Sequence, residues 1–114
     1  MHLRFADRKL AKECNDAALL RRRHGARRAE LLTRRLAVID AAQSLSALGP
    51  PYQGPMRCHE LTGDRTGQLS IDLDGPYRLI IRPDHDPLPQ RPEGGLDWAQ
   101  VTRVVIVEIA DTHR

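Results

Sequence analysis

At 114 residues the chain fits one domain, 1–114, and leaves no room for two. Apolar residues at 40% and aromatics at 4% call for a thin aliphatic core, while 29% charged residues and no low-complexity tract exclude wholesale disorder. The net charge of +3 is uneven: residues 1–49 hold 11 Lys/Arg against 5 Asp/Glu, and residues 50–114 hold 7 against 10, a split that suits a polyanionic partner without requiring one.

Cys14 and Cys58 have neither metal-ligand spacing nor the density of a disulfide scaffold. No apolar run approaches the roughly 20 residues of a membrane span, and the first residues lack the apolar stretch of a signal peptide. The expectation is a cytoplasmic protein with reduced thiols and no membrane contact.

In chain order, Leu3–Phe5 reads as a short first strand. Asp7 follows as a helix N-cap, because its carboxylate can accept from free first-turn amides. A helix is expected over Arg8–Arg23, with Leu10, Cys14, Ala17 and either Leu20 or Ala18 along one side, ending at His24-Gly25. A second helix is expected from Ala26 to Leu45 or Leu48. It carries two apolar stripes, Ala29/Leu32/Leu36/Ile39 and Leu31/Val38/Ala42/Leu45, with Arg28 and Arg35 between them. One stripe meets the core. The other packs on the first helix or serves as a binding face.

Gly49-Pro50-Pro51 stops the helix and opens a loop to Pro55. The pattern then changes to period two. Met56–Leu61 reads as a strand, Thr62–Gly67 as a turn, and Gln68–Leu73 as a half-buried strand with Leu69, Ile71 and Leu73 inward. Asp74-Gly75 is a hairpin turn, and Tyr77–Arg82 is the return strand. Pro83–Trp98, with four prolines and Gly94-Gly95, is a long loop with a helical turn near Leu96-Asp97-Trp98. Val101–Ala110 is a β-branched central strand. Helices over 1–49 followed by strands over 50–114 predict an α+β fold, helices on one face of a small, mostly antiparallel sheet, with the other face open to a ligand.

No P-loop, metalloprotease, nucleophile-elbow, zinc-finger or dinucleotide motif is present, so no metal or cofactor is expected. The groups that suit chemistry are polar residues at strand ends. Asp111 and His113 are two apart, so a continuing strand points both to one face, where a carboxylate can orient an imidazole for proton transfer. Arg57 and His59 share a face of their strand in the same way. Arg65 sits in a Gly-flanked turn suited to phosphate, and Arg78 and Arg82 share the face opposite Leu79 and Ile81. Taken singly, each is equally at home as a solvated surface group.

Their order along the chain resembles a known family. The segment Cys58-His59-Glu60-Leu61-Thr62-Gly63-Asp64-Arg65-Thr66-Gly67 is similar to the His-x-Leu-Lys-Gly-Asp-x-x-Gly stretch of the HigB branch of the RelE-like toxins, from bacterial toxin–antitoxin systems. Tyr77-Arg78-Leu79-Ile80 resembles its Trp-Arg strand, and Val107–His113 its closing strand and terminal Asp-Tyr-His. The enlarged loop over 83–98 resembles a branch labelled killer or killer-suppression proteins, associated with plasmid maintenance.

The resemblance implies a RelE-like fold and a metal-independent endoribonuclease that cuts mRNA on the ribosome. It also implies neutralisation by a helix-turn-helix, HigA-like antitoxin, and no small-molecule cofactor. It assigns His113 to proton transfer, Asp111 to orienting it, His59 to a second proton transfer or to phosphate, and Arg65 and Arg78 to phosphate, with Arg57 and Arg82 as further RNA-binding cations. Thr62 stands where the family has Lys, and Thr112 where it has Tyr. The alternative is therefore a catalytically weak or inactive binding module, or a killer-suppression protein.

Overall fold

The computed structural model of the protein describes residues 1–112. Strand β1 (His2–Phe5) leads into helices α1 (Arg8–Cys14), α2 (Ala17–His24) and α3 (Ala26–Ala41). Strands β2 (His59–Glu60), β3 (Leu69–Asp72), β4 (Tyr77–Pro83) and β5 (Arg103–Asp111) follow. The fold is α+β, its strands forming one sheet in the order β1-β5-β4-β3-β2. β1 runs parallel to β5, with Leu3 opposite Val104 and Phe5 opposite Ile106. The other pairings are antiparallel. The expected mostly antiparallel sheet therefore carries one parallel edge, which the period-two pattern does not reveal.

The expected helix over Arg8–Arg23 is two helices. Asn15 closes α1, and Asp16 opens α2 by accepting from the Leu19 amide at 3.1 Å, as Asp7 accepts from Leu10 at 2.8 Å. Short polar side chains compete for backbone donors in this way, which suits them to helix ends rather than interiors. The second expected helix stops at Ala41. Leu45–Leu48 form a separate 3-10 turn, tied by the Leu45 amide to the Val101 carbonyl at 2.9 Å, and this turn lowers Leu45 and Leu48 into the core.

The core lies between the helices and one side of the sheet. Leu10, Leu20, Ala29, Leu32 and Ile39 meet Leu69, Ile71, Leu79, Ile81, Val104 and Ile106. The Ala29/Leu32/Ile39 stripe of α3 is buried, with Leu36 packed at its margin. On the other stripe Leu31 and Ala42 are partly covered, and Val38 remains 45% exposed. Arg28, between the stripes, reaches the turn after β3. Its Nε and Nη2 donate to the two Asp74 oxygens at 2.9 and 3.2 Å, and its guanidinium sits 3.3 Å from the centre of the Tyr77 ring. A planar fork can pair and stack at once, so one side chain fastens α3 to the sheet.

Three local departures shape the sheet. The expected strand Met56–Leu61 shrinks to His59–Glu60, because Arg57 adopts φ +44° and breaks the extended run. The β3–β4 turn takes in Pro76 as well as Asp74-Gly75: the Leu73 amide bonds the Tyr77 carbonyl at 3.1 Å, and Gly75 takes φ +52°. β5 carries a bulge at Val107, since Ile81 opposes Ile106 while the preceding Ile80 opposes Glu108.

The stretch over 83–98 is tied down along its length. Gln90 bridges Leu96, the Asp97 amide bonds the Pro89 carbonyl, and the Trp98 Nε1–H donates to Glu60 at 3.1 Å. The expected helical turn occurs at Trp98–Gln100, capped by Asp97. Among the described residues no helix is long and apolar enough to cross a membrane.

The Arg28 guanidinium holds the Asp74 carboxyl below its usual range. A carboxyl whose pKa is lowered by folding stabilises the fold above its unfolded pKa of about 4, and loses that contribution as pH falls through the lower folded value. Asp74→Asn is expected to cost about 1 kcal/mol at pH 7, and the gap from wild type should close in acid. Thermal or urea melts from neutral to acid pH check this; a gap that does not vary with pH would refute it.

Candidate nucleic-acid interface

Residues opposite one another across a sheet share a face. On the side away from the helices, one such row is His59, Ser70, Ile80 and Glu108. A second is Asp72, Arg78 and Ala110, and a third is Arg82, Val105 and Arg4. His59, Arg78 and Arg82 thus lie on one side of the sheet.

Asp111 does not join them. Without a bulge, alternation along β5 would put Asp111 on the same side as Val105. The extra residue at Val107 inverts the phase, so Glu108 turns outward while Ile109 and Asp111 register with Leu79 and Tyr77 on the helix side. Asp111 therefore shares a side with Tyr77 rather than His59, and the expected grouping of Asp111 with His59 is corrected on this register. His113 lies outside the described residues.

Three arginines on this side, Arg57, Arg65 and Arg78, are held by carboxylates, and Arg82 is not. Arg78 Nε lies 3.1 Å from Asp72, which also has Arg57 Nη1 at 3.9 Å on its other oxygen. Arg78 is fixed further by donating to the Gly75 and Tyr77 carbonyls at 2.7 and 2.8 Å. Arg65, in the turn before β3, bonds Gln68 at 3.1 Å and reaches Glu108 on β5 at 3.5 Å. Given the strand order, that ion pair crosses above β4. Ile80, though outward by register, is fully buried, as is Val105. The expected open second face is thus a polar layer over buried aliphatics.

Arg57 and His59 are not related by strand alternation, because Arg57 lies outside β2 at positive φ. That bend has another result: the Arg57 carbonyl meets His59 Nδ1 at 2.8 Å. A carbonyl only accepts, so the neutral ring carries its proton on Nδ1, and Nε2 keeps the lone pair. The His59 ring stacks on Tyr52 with centroids 4.1 Å apart and planes 14° from parallel. Tyr52 is 56% exposed and is held by its amide on the Cys58 carbonyl at 3.1 Å.

Sequence reasoning misses Tyr52, Asp72 and Glu108. The alternation Leu69/Ile71 against Ser70/Asp72 places Asp72 outward, but its pairing with Arg78 depends on the extra turn residue Pro76. Nothing local marks Tyr52, whose role depends on the loop folding back over β2.

Neither cysteine is a nucleophile at neutral pH. Burial, with Glu60 adding to it, pushes the Cys58 thiol up to about 12; burial, with Glu13 adding to it, pushes Cys14 up to about 11. Among the described residues no three His, Cys, Asp or Glu side chains cluster as a metal site would need. In comparison with known proteins, no family model and no curated protein matches the chain.

Arg57 adopts a backbone conformation that favours glycine, and its pair with Asp72 is long and exposed. Arg57→Gly is expected to hold or raise stability by about 1 kcal/mol, whereas Arg57→Val should lower it. Paired thermal melts check the sign, and a large loss in the glycine variant would refute the assignment.

Proposed function

We propose that this chain is a HigB-like toxin of the RelE superfamily, a cytoplasmic protein that engages mRNA on the ribosome through the outer face of its sheet and is neutralised by a helix-turn-helix antitoxin. The observation that carries the reading is His59, with its tautomer fixed by the Arg57 carbonyl and its ring stacked on Tyr52. Arg57 and Arg78, joined through Asp72, lie on the same side. The helices-then-strands order, with helices covering one side of the sheet, fits the RelE-like fold that the resemblance implies.

Metal-independent RNA cleavage needs a base for the 2′-OH, cations for the charge that builds on phosphorus, and an acid for the leaving oxygen. His59 Nε2 is a suitable base, and Arg78 and Arg57 are suitable cations. Tyr52 offers an exposed ring for base stacking, in place of the ring that Thr112 lacks. In this reading the acid is His113, beyond the end of β5.

A second reading is a non-cleaving module that binds RNA, ribosome or antitoxin, including a killer-suppression role. The helix-side register of Asp111 favours it, because it takes one expected site carboxylate off the side of the sheet that carries His59 and Arg78.

Induced expression followed by mapping of mRNA ends separates the two. Growth arrest with new mRNA ends, both lost in His59→Ala and Arg78→Ala, is the outcome expected of the toxin. Arrest without new ends supports the binding module. Unimpeded growth with no new mRNA ends would overturn the toxin reading, and failure of the protein to associate with RNA, ribosomes or a co-expressed helix-turn-helix antitoxin would overturn the second as well.

A further inference from the structure

Among the described residues, a cluster of unpaired cations lies on the helical side. Between α1 and α2 is a cleft of about 600 Å³ whose lining includes Arg8, Lys9, Lys12, Arg22 and Arg23. All five are exposed. Among the described residues, none has a carboxylate within ion-pair distance. The two acids that share the cleft are engaged elsewhere: Glu13 pairs with His24, and Asp16 caps α2 through the Leu19 amide. On the sheet side Arg57, Arg65 and Arg78 each have a carboxylate partner, and Arg82 alone of the outward arginines named above has none within ion-pair distance among the described residues.

The cations also crowd one another. Arg8 and Lys12 are four apart on α1, which brings like charges together on one helix face at a cost to the fold. Arg22 and Arg23 close α2, where the helix dipole favours positive charge and so accounts for part of their placement. The same holds for Lys12 in the last turn of α1, but not for Arg8 and Lys9, which open α1 where the dipole disfavours positive charge. A cleft lined by five cations against two acids focuses the field on an incoming anion.

We propose that the α1–α2 cleft is a docking groove for the phosphate backbone of a nucleic acid. The lining argues against a protein partner. Leu19 is its one apolar side chain and is half-buried, whereas protein interfaces rest on apolar and aromatic anchors in desolvated pockets. Backbone docking needs only charge, and it is independent of sequence. The groove is separate from the sheet face and needs no cleavage, so it stands whether or not that face is a nuclease site.

The test measures binding of a short, labelled, mixed-sequence RNA by anisotropy from roughly 50 to 200 mM salt. Each phosphate contact contributes about 0.7–0.9 to the slope of log affinity against log salt. The variant Lys12→Ala/Arg22→Ala/Arg23→Ala should flatten the slope by about 2–3 and weaken binding on the order of tenfold or more at low salt. Arg57→Ala/Arg78→Ala should leave that share of the slope in place, so failure of the sheet-face reading is seen separately. Ultraviolet crosslinking of RNA to the wild-type protein, with the crosslinked peptides mapped, does not depend on any variant folding, and crosslinks on α1 or α2 are expected. An unchanged slope in a folded triple variant would overturn the proposal. So would crosslinks confined to the sheet face, or tighter binding of a polyglutamate peptide than of RNA.

Discussion

The parallel pairing of β1 with β5 is the constraint on which the rest of the architecture hangs. It joins residues near the two ends of the chain, Leu3 to Val104 and Phe5 to Ile106, so everything between must leave one strand and return to its neighbour in the same direction. A parallel neighbour requires a crossover, and the three helices lie within it, packed on one side of the sheet. With that side filled, the outer side is left to polar chemistry, and β5 becomes an interior strand flanked by β1 and β4.

Because β5 is interior, one extra residue in it matters more than it would at an edge. The bulge at Val107 separates an N-terminal part, where Val104 and Ile106 face the helices, from a C-terminal part, where Ile109 and Asp111 do. Glu108 is turned outward at the point where Arg65 arrives from the far side of β4. The same irregularity therefore supplies the anchor for one arginine of the outer layer and removes Asp111 from that layer.

Much of the fold is legible in the residues because it is local. The Leu69/Ile71/Leu73 alternation, the Asp7 cap and the change of period after Pro55 are short-range signals that survive folding. The break at Asn15-Asp16 is equally local and is missed only because the apolar spacing continues across it. The parallel edge, the bulge and the positive φ of Arg57 are of another kind. The parallel edge and the bulge are fixed by pairing partners distant in sequence. The candidate site suffers most, since strand phase assigns its residues to faces and one bulge reverses that phase. His59, Arg78 and Arg82 keep their side, and Asp111 does not.

The ion pair that spans from Arg65 to Glu108 bears on how the outer layer would behave toward any anion. With Asp72 held by Arg78 and Glu108 by Arg65, these cations arrive already matched. An incoming phosphate must displace a resident carboxylate, and it gains only the difference between two similar pairings. Such a surface works by exchange rather than capture: weak toward a lone anion, quick to release, and selective for a ligand that meets several cations at once.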